Sequence, residues 1–211
     1  MARTRQEAHL LALYKAYQDM QQLDPYLTAY RAACEFVPEE GNRGHFLLRF
    51  WGDEYAITFP KVTVRHAASG AEPSVTEQLL MLHYLLTADG TLPADRWISF
   101  RELPGGLGYD PAFQGRSAGI LVRRFGDDLE GFIAAAVALG GDRLTYGDAA
   151  FMFRILPRVP VAVVLHRGDE EFPAAANVLF DASAAHYLPT EDLAVLGGLV
   201  ATRLKKEAQR R

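Results

Sequence analysis

The sequence predicts an α+β protein: one domain in which a central, mostly antiparallel sheet of about five strands is flanked by helices. Three observations carry this. Apolar residues recur at three- and four-residue spacing near both ends of the chain, which is helical periodicity. Residues 45–50 and 55–64 are rich in aromatic and β-branched positions around a Gly52-Asp53-Glu54 turn, as an antiparallel pair requires. Val161, Ala162, Val163, Val164 and Leu165 form an unbroken apolar run, the pattern of a central strand covered on both faces. With 211 residues, 49% hydrophobic and 23% charged, the chain can bury one core without disulfides. That fits a single domain over residues 1–211, with tails at 1–9 and 205–211.

Taken in order, Leu10, Leu13, Tyr14, Tyr17 and Met20 place a helix from Arg5 onward. It breaks at Asp24-Pro25, because proline clashes with the preceding turn, and a short helix follows over 26–34. Residues 38–44 are charged and contain glycine, hence loop. After the aromatic strand pair, Ser74 and Glu77 form a Ser-x-x-Glu capping box for a helix over 75–87, which Asp89-Gly90 closes. Residues 97–113 begin as a strand at Trp97, Ile98 and Ser99 and continue as a shaped loop, with turns at Pro104-Gly105-Gly106 and Tyr109-Asp110-Pro111. A helix over 112–125 is interrupted by Gly115 and Gly119. The next takes Asp127 as its cap, has Glu130 three residues on and an alanine-rich body, and stops at Gly140-Gly141. Strands over 149–156 and 161–166 are separated by Pro157 and Pro160, which exclude one continuous ladder. Residues 167–171 form an acidic turn, and 172–181 an apolar element that is either helix or strand. Thr190, with Glu191 and Asp192, opens a last helix that runs through Leu199 into a basic tail, acids first and bases last, as the helix dipole favours.

Charge and composition remove several classes of function. A formal net charge of -4, with no concentrated basic face before the last few residues, argues against nucleic-acid binding. No run approaches the ~18 apolar residues that cross a bilayer. Tyr14, Lys15 and Gln18 interrupt any apolar segment after the basic N-terminus, so neither a membrane span nor a secretory leader is expected, and a cytoplasmic location follows. Cys34 is the only cysteine: one chain can build neither a disulfide nor a cysteine-ligated cluster, and Cys34 itself is expected as a small apolar residue on a helix.

Longer strings add a resemblance. His83-Tyr84-Leu85-Leu86, Asp89-Gly90 and Trp97-Ile98-Ser99-Phe100-Arg101-Glu102-Leu103-Pro104-Gly105-Gly106 are followed by Leu156-Pro157-Arg158-Val159-Pro160 and Gly168-Asp169-Glu170-Glu171-Phe172-Pro173. With Leu179-Phe180-Asp181, Tyr187-Leu188 and Glu191-Asp192-Leu193, these motifs resemble the bacterial and archaeal DUF3786 family over roughly residues 10–204. The family has no established activity. Its members come largely from anaerobes, and some carry an added iron–sulfur segment. The resemblance therefore implies an association with anaerobic cofactor metabolism, of corrinoids or other tetrapyrroles. Having Cys34 alone, this chain departs from the cluster-bearing members, and no iron–sulfur cluster is expected.

His83 shares an apolar helix surface with Leu79, Leu80 and Leu86. An imidazole there is a ligand for tetrapyrrole iron or cobalt, an acid or base, or a core histidine bonded to a carbonyl or to an acid such as Glu102. Arg101 and Glu102, being adjacent, face opposite sides of a strand. Arg101 suits either a bidentate grip on a carboxylate or phosphate, or an ion pair with Asp169, Glu170 or Glu171. Glu102 suits either a base or a cap on the Gly105-Gly106 backbone. Pro104-Gly105-Gly106 lacks the Lys and Ser/Thr of a P-loop and is expected as a tight turn. Asp169, Glu170 and Glu171 offer oxygens to Mg²⁺ or Ca²⁺, or form a solvated turn. Trp51, Tyr55, Trp97, Tyr109 and Phe113 belong to a core or flank a planar ligand.

The leading expectation is a non-enzymatic accessory domain that binds a planar or anionic cofactor, with a tetrapyrrole such as haem or a corrinoid among the candidates. Its site would comprise His83, Trp97, Arg101, Glu102 and Tyr109, with no metal site of its own. The alternatives are an enzyme that clamps a small acidic substrate with Arg101 and uses Glu102 or Glu171 as base, and a module that docks a protein partner or a second copy.

Overall fold

The structure, a computed structural model, describes residues 5–41 and 43–210, with the backbone alone for Arg5 and Gln6. Asn42 of the expected 38–44 loop, and residues 1–4 and 211 of the expected tails, lie outside the described residues. The chain forms two compact units that interleave in sequence. The first takes the chain up to Leu92 with Ile155–Arg158 and His186–Pro189; the second takes Pro93–Arg154, Val159–Ala185 and the chain from Thr190 on. No described helix is long and apolar enough to cross a membrane.

In the first unit, α1 (Arg5–Met20) and α2 (Pro25–Arg31) are separated where the sequence predicts. Asp24 caps α2, its Oδ1 accepting from the amides of Tyr26 and Leu27 at 3.0 Å. Cys34 lies beyond that helix, where its amide donates to the Ala29 carbonyl, and burial pushes its thiol up to about 12. Four strands follow, β1 (Glu35–Pro38), β2 (Gly44–Phe50), β3 (Asp53–Phe59) and β4 (Val64–His66), in an antiparallel sheet of order β1-β2-β3-β4. Phe50 pairs with Asp53 across a two-residue turn in which Trp51 and Gly52 both have positive φ, as a primed hairpin turn requires. The expected long strand over 55–64 divides at Phe59, because Pro60 offers no amide to a ladder, and Val64 returns to pair with Ile57. Phe46, Leu48, Phe50 and Ile57 are fully buried on one face.

Helix α3 (Val75–Thr87) packs on α1, where the Tyr17 hydroxyl donates to Gln78 Oε1 at 2.7 Å. Its capping box is formed as predicted: the Glu77 amide donates to Ser74 Oγ at 3.3 Å, and the Ser74 amide to Glu77 Oε2 at 3.1 Å. A Ser74→Ala variant is therefore expected to lose about 1 kcal/mol. In a chain of this size that lowers Tm by about 2–4 °C, measurable by thermal melting.

The second unit begins with β5 (Trp97–Ser99), a 3-10 turn (Phe100–Glu102), α4 (Gly106–Arg116), α5 (Ala118–Phe125) and α6 (Leu129–Ala138). It continues with β6 (Asp142–Leu144), β7 (Ala149–Leu156), β8 (Val159–His166), β9 (Ala175–Asp181) and α7 (Thr190–Gln209). Its strands form an antiparallel sheet of order β5-β9-β8-β7-β6. The α+β class, the five-stranded antiparallel sheet and the buried central strand β8 are as the sequence predicts. The aromatic hairpin, instead of joining that sheet, belongs to the separate four-stranded one.

Several boundaries differ, each for a physical reason. Tyr109-Asp110-Pro111 is no turn but part of α4, which starts six residues earlier than expected. Its glycines and proline oppose a helix. The burial of Phe113, stacked on Phe100 at 4.2 Å and 6.0 Å from Phe180, outweighs that propensity. Asp128 caps α6 in place of Asp127, accepting from the Gly131 amide at 2.9 Å. The β7–β8 turn is Pro157-Arg158, so Pro160 falls within β8. The element of open type is strand β9, the short strands β1 and β6 carried no sequence signal, and α7 runs to Gln209 where a tail was expected.

Candidate functional site

The period of two along β9 divides its side chains between two environments. Ala176, Val178 and Phe180 are buried, while Ala175 and Asn177 are exposed and Leu179 is half-buried. Antiparallel register then assembles the outer face. Val164 of β8 stands opposite Asn177, Leu179 lies between Ala162 and Ser99, and Trp97 of β5 is opposite Asp181. Trp97 is thus diagonal to Leu179, within reach of a large side chain.

On this face the second unit holds a cavity of about 500 Å³, inside the span usual for small-molecule sites. Leu179, Asn177 and Val164 line it, with His166 at the end of β8. Asp95, Arg96 and Trp97 bound it on the β5 side, Tyr146 and Gly147 on the other.

Local geometry fixes both walls. On the far side, the loop between β6 and β7 lies directly on β8. A Cβ at Gly147 would come within 2.8 Å of the Leu165 carbonyl and of Val164 Cγ1, so only glycine permits this approach. The Asp148 amide donates to Leu165 O at 3.0 Å and Asp148 Oδ2 accepts from the Arg167 amide at 2.8 Å, which holds the loop down. On the near side, the buried Asp181 carboxylate gathers the chain that leads into β5. Its Oδ1 accepts from the amides of Ala94 and Ser183, both at 2.9 Å, and from Ser183 Oγ at 2.6 Å. Burial alone would raise the Asp181 carboxyl; these hydrogen bonds outweigh it and hold the group below the usual carboxylate range. The Ala182 amide donates to Arg96 O at 2.9 Å, and Asp95 is carried with a left-handed φ of 50°.

The side chains of Asp95, Arg96, His166 and Asn177 form no hydrogen bond or ion pair with any described residue. Four polar side chains with no hydrogen bond or ion pair among the described residues therefore line one cavity with Leu179, Val164 and Trp97.

Of the residues predicted as a site, Trp97 lines this groove. Arg101 and Glu102 lie on the exposed 3-10 turn that follows β5. Glu102 Oε2 accepts from Ser99 Oγ at 2.7 Å and from the Ser99 amide at 2.8 Å. It therefore caps that turn and not the Gly105-Gly106 backbone, and the Ser99 hydroxyl and amide hold its carboxyl below the usual range. Arg101 makes no ion pair with Asp169, Glu170 or Glu171 among the described residues. Tyr109 accepts a 2.5 Å hydrogen bond from Arg116 Nη1, and the guanidinium lies 5.7 Å from its ring centroid. His83, half-buried on α3, belongs to the first unit, and its carbonyl accepts from Thr87 Oγ1 at 2.5 Å.

Asp169, Glu170 and Glu171 lie in an exposed loop, where Asp169 Oδ1 accepts from the amides of Glu171 at 2.9 Å and Phe172 at 2.7 Å. Among the described residues no group of three or more His, Cys, Asp or Glu side chains is placed to hold a metal ion. Asp95, Arg96, Tyr146, His166 and Asn177 escaped sequence reasoning, since only cross-strand register brings them to one face.

A second polar cluster, in the first unit, is engaged with itself. The Thr91 amide donates to Asp89 Oδ1 at 2.8 Å and His186 Nδ1 lies 2.6 Å from Asp89 Oδ2, contacts that lower the Asp89 carboxyl to about 2. The Tyr187 hydroxyl donates to Thr91 O, and its ring stacks on Tyr84. This is a clasp on residues 186–189, with its groups satisfied by one another.

The family model described as a domain of unknown function, DUF3786, matches residues 24–203, which takes in every groove residue and leaves out α1. No curated protein and no solved structure matches the chain.

Proposed function

We propose, for a chain that belongs to the DUF3786 family, that it is an accessory binding domain for a planar small molecule bearing an acidic group, held on the outer face of the five-stranded sheet. The observation that supports this reading is the set of polar side chains, with no hydrogen bond or ion pair among the described residues, that line a cavity with Leu179 and Val164. Convergent polar groups in a concave, largely apolar site are how proteins orient small ligands. Trp97 offers an indole face to a conjugated ring, and Leu179 with Val164 offers it a dry floor. His166 and Asn177 supply hydrogen-bond donors for an acid.

The test is a titration of the purified protein with planar anionic probes: haem, protoporphyrin and 2-naphthoate, with cobalamin as a bulkier tetrapyrrole. Absorption or probe emission is followed in the wild type and in Trp97→Ala. The expected outcome is saturable binding of at least one planar acid that weakens about fivefold in Trp97→Ala, since stacking on an aromatic side chain contributes on the order of 1 kcal/mol. Affinity for every probe that is unchanged by Trp97→Ala would sink the reading. Haem binding that survives in Trp97→Ala and is lost in His83→Ala would move the site to the first unit.

A further inference from the structure

The groove is electrostatically unequal along its length, and that inequality describes the ligand more narrowly. At the β5 side Arg96 is accompanied by Asp95, and the Arg96 charge also acts on the Glu102 carboxylate. One cation therefore faces two anions, and a further anion gains little there. At the opposite side His166, Asn177 and Tyr146 line the cavity, and the neighbouring Asp148 is turned to the Arg167 amide. That side offers donors to an acid, with no acid lining it. Two strand spacings, ~10 Å, separate β5 from β8, so the two sides are addressed by opposite ends of one molecule.

Resting on the groove reading above, we infer that the ligand is bipolar: a conjugated ring system with a nitrogen donor, amino or amide, against Asp95, and a carboxylate or phosphate against His166 and Asn177. The ring lies flat over Leu179 and Val164, with Trp97 beside it. This is the pattern of an amino-substituted aromatic or heteroaromatic acid. Asp95 accepts the N–H through a charged acceptor, which is stronger than a neutral one. His166 and Asn177 donate to the acid.

The experiment compares 6-amino-2-naphthoate, 2-naphthoate and 2-aminonaphthalene in the wild type, Asp95→Asn, His166→Ala and Trp97→Ala, following the probes' own fluorescence. The expected result is that the amino acid probe binds about tenfold more tightly than either one-ended probe, because a hydrogen bond to a charged group carries that much discrimination. Asp95→Asn is expected to erase the preference of 6-amino-2-naphthoate over 2-naphthoate without changing 2-naphthoate affinity. His166→Ala is expected to weaken both acids and leave 2-aminonaphthalene unaffected. Equal affinity of the two naphthoates in wild type and Asp95→Asn, with both still weakened in Trp97→Ala, would overturn the bipolar ligand and leave the groove standing. Naphthoate binding that is indifferent to Trp97 would overturn both.

Discussion

Asp181→Ala is expected to destabilise the protein by about 3 kcal/mol, because it leaves the buried Ser183 amide and hydroxyl and the part-buried Ala94 amide without their shared acceptor. At this chain length that lowers Tm by roughly 6–12 °C, read by differential scanning calorimetry. The same change frees the chain at residues 94–97, so ligand binding in the groove is expected to fall with it even at temperatures where the sheet is folded. Asp181 is a positioning residue, since it touches the wall and does not line the cavity. Charge adds a pH signature. The folded-state carboxyl is held below the ordinary aspartate range, so its contribution is fully present above the unfolded value of about 3.9 and is lost as pH falls through the lower folded value. Asp181→Asn keeps an acceptor oxygen and removes the charge. Its stability is expected to vary less with pH below about 4 than that of the wild type. A variant as stable as wild type at pH 7 and equally acid-sensitive would refute the clamp.

Phe113→Ala is expected to cost about 4 kcal/mol, within the range for emptying a buried aromatic site. Phe113 lies between Phe100 and Phe180, and Gly197 of α7 is open to it: a Cβ there would stand 2.5 Å from Phe113 Cε2. The cavity left by the ring cannot close without moving α4 or α7, which places the cost high in its range. Urea denaturation should show the loss as a lower midpoint with an unchanged slope. By contrast Trp97→Ala and His166→Ala remove side chains that are half-buried on the outer face, and their effect is expected on binding and not on the melt. A Phe113→Ala variant within 1 kcal/mol of wild type would show that the stack carries little of the unit's stability.

Elements with strong local grammar were legible without coordinates. The Ser74–Glu77 box fixed α3 to the residue, Asp24-Pro25 separated α1 from α2, and the apolar run at 161–165 identified the central strand. Misplaced elements are those in which packing opposes propensity. A stretch with three glycines and a proline reads as loop, and becomes α4 because Phe113 is buried beneath it. Strands of three or four residues such as β1 and β6 carry too few alternations to register as a pattern.

The groove shows the same division. Trp97 is an aromatic at the start of a strand-and-turn segment, a position visible in sequence, and it lines the cavity. Arg101 and Glu102 read as a charged pair in a strand, but the strand ends at Ser99 and the 3-10 turn takes Glu102 as its own cap. Arg96, one residue before the strand, carries no local signal that separates it from any surface arginine.

Periodicity, turn residues and capping residues determined the α+β class and the antiparallel strands, because these depend on near neighbours, and strings of matching residues carried the family to which the chain belongs. Which side chains share a face was decided only by tertiary structure. A one-residue shift of register would turn Asn177 and Leu179 inward and Val178 outward, and register is set by contacts between residues far apart in the chain.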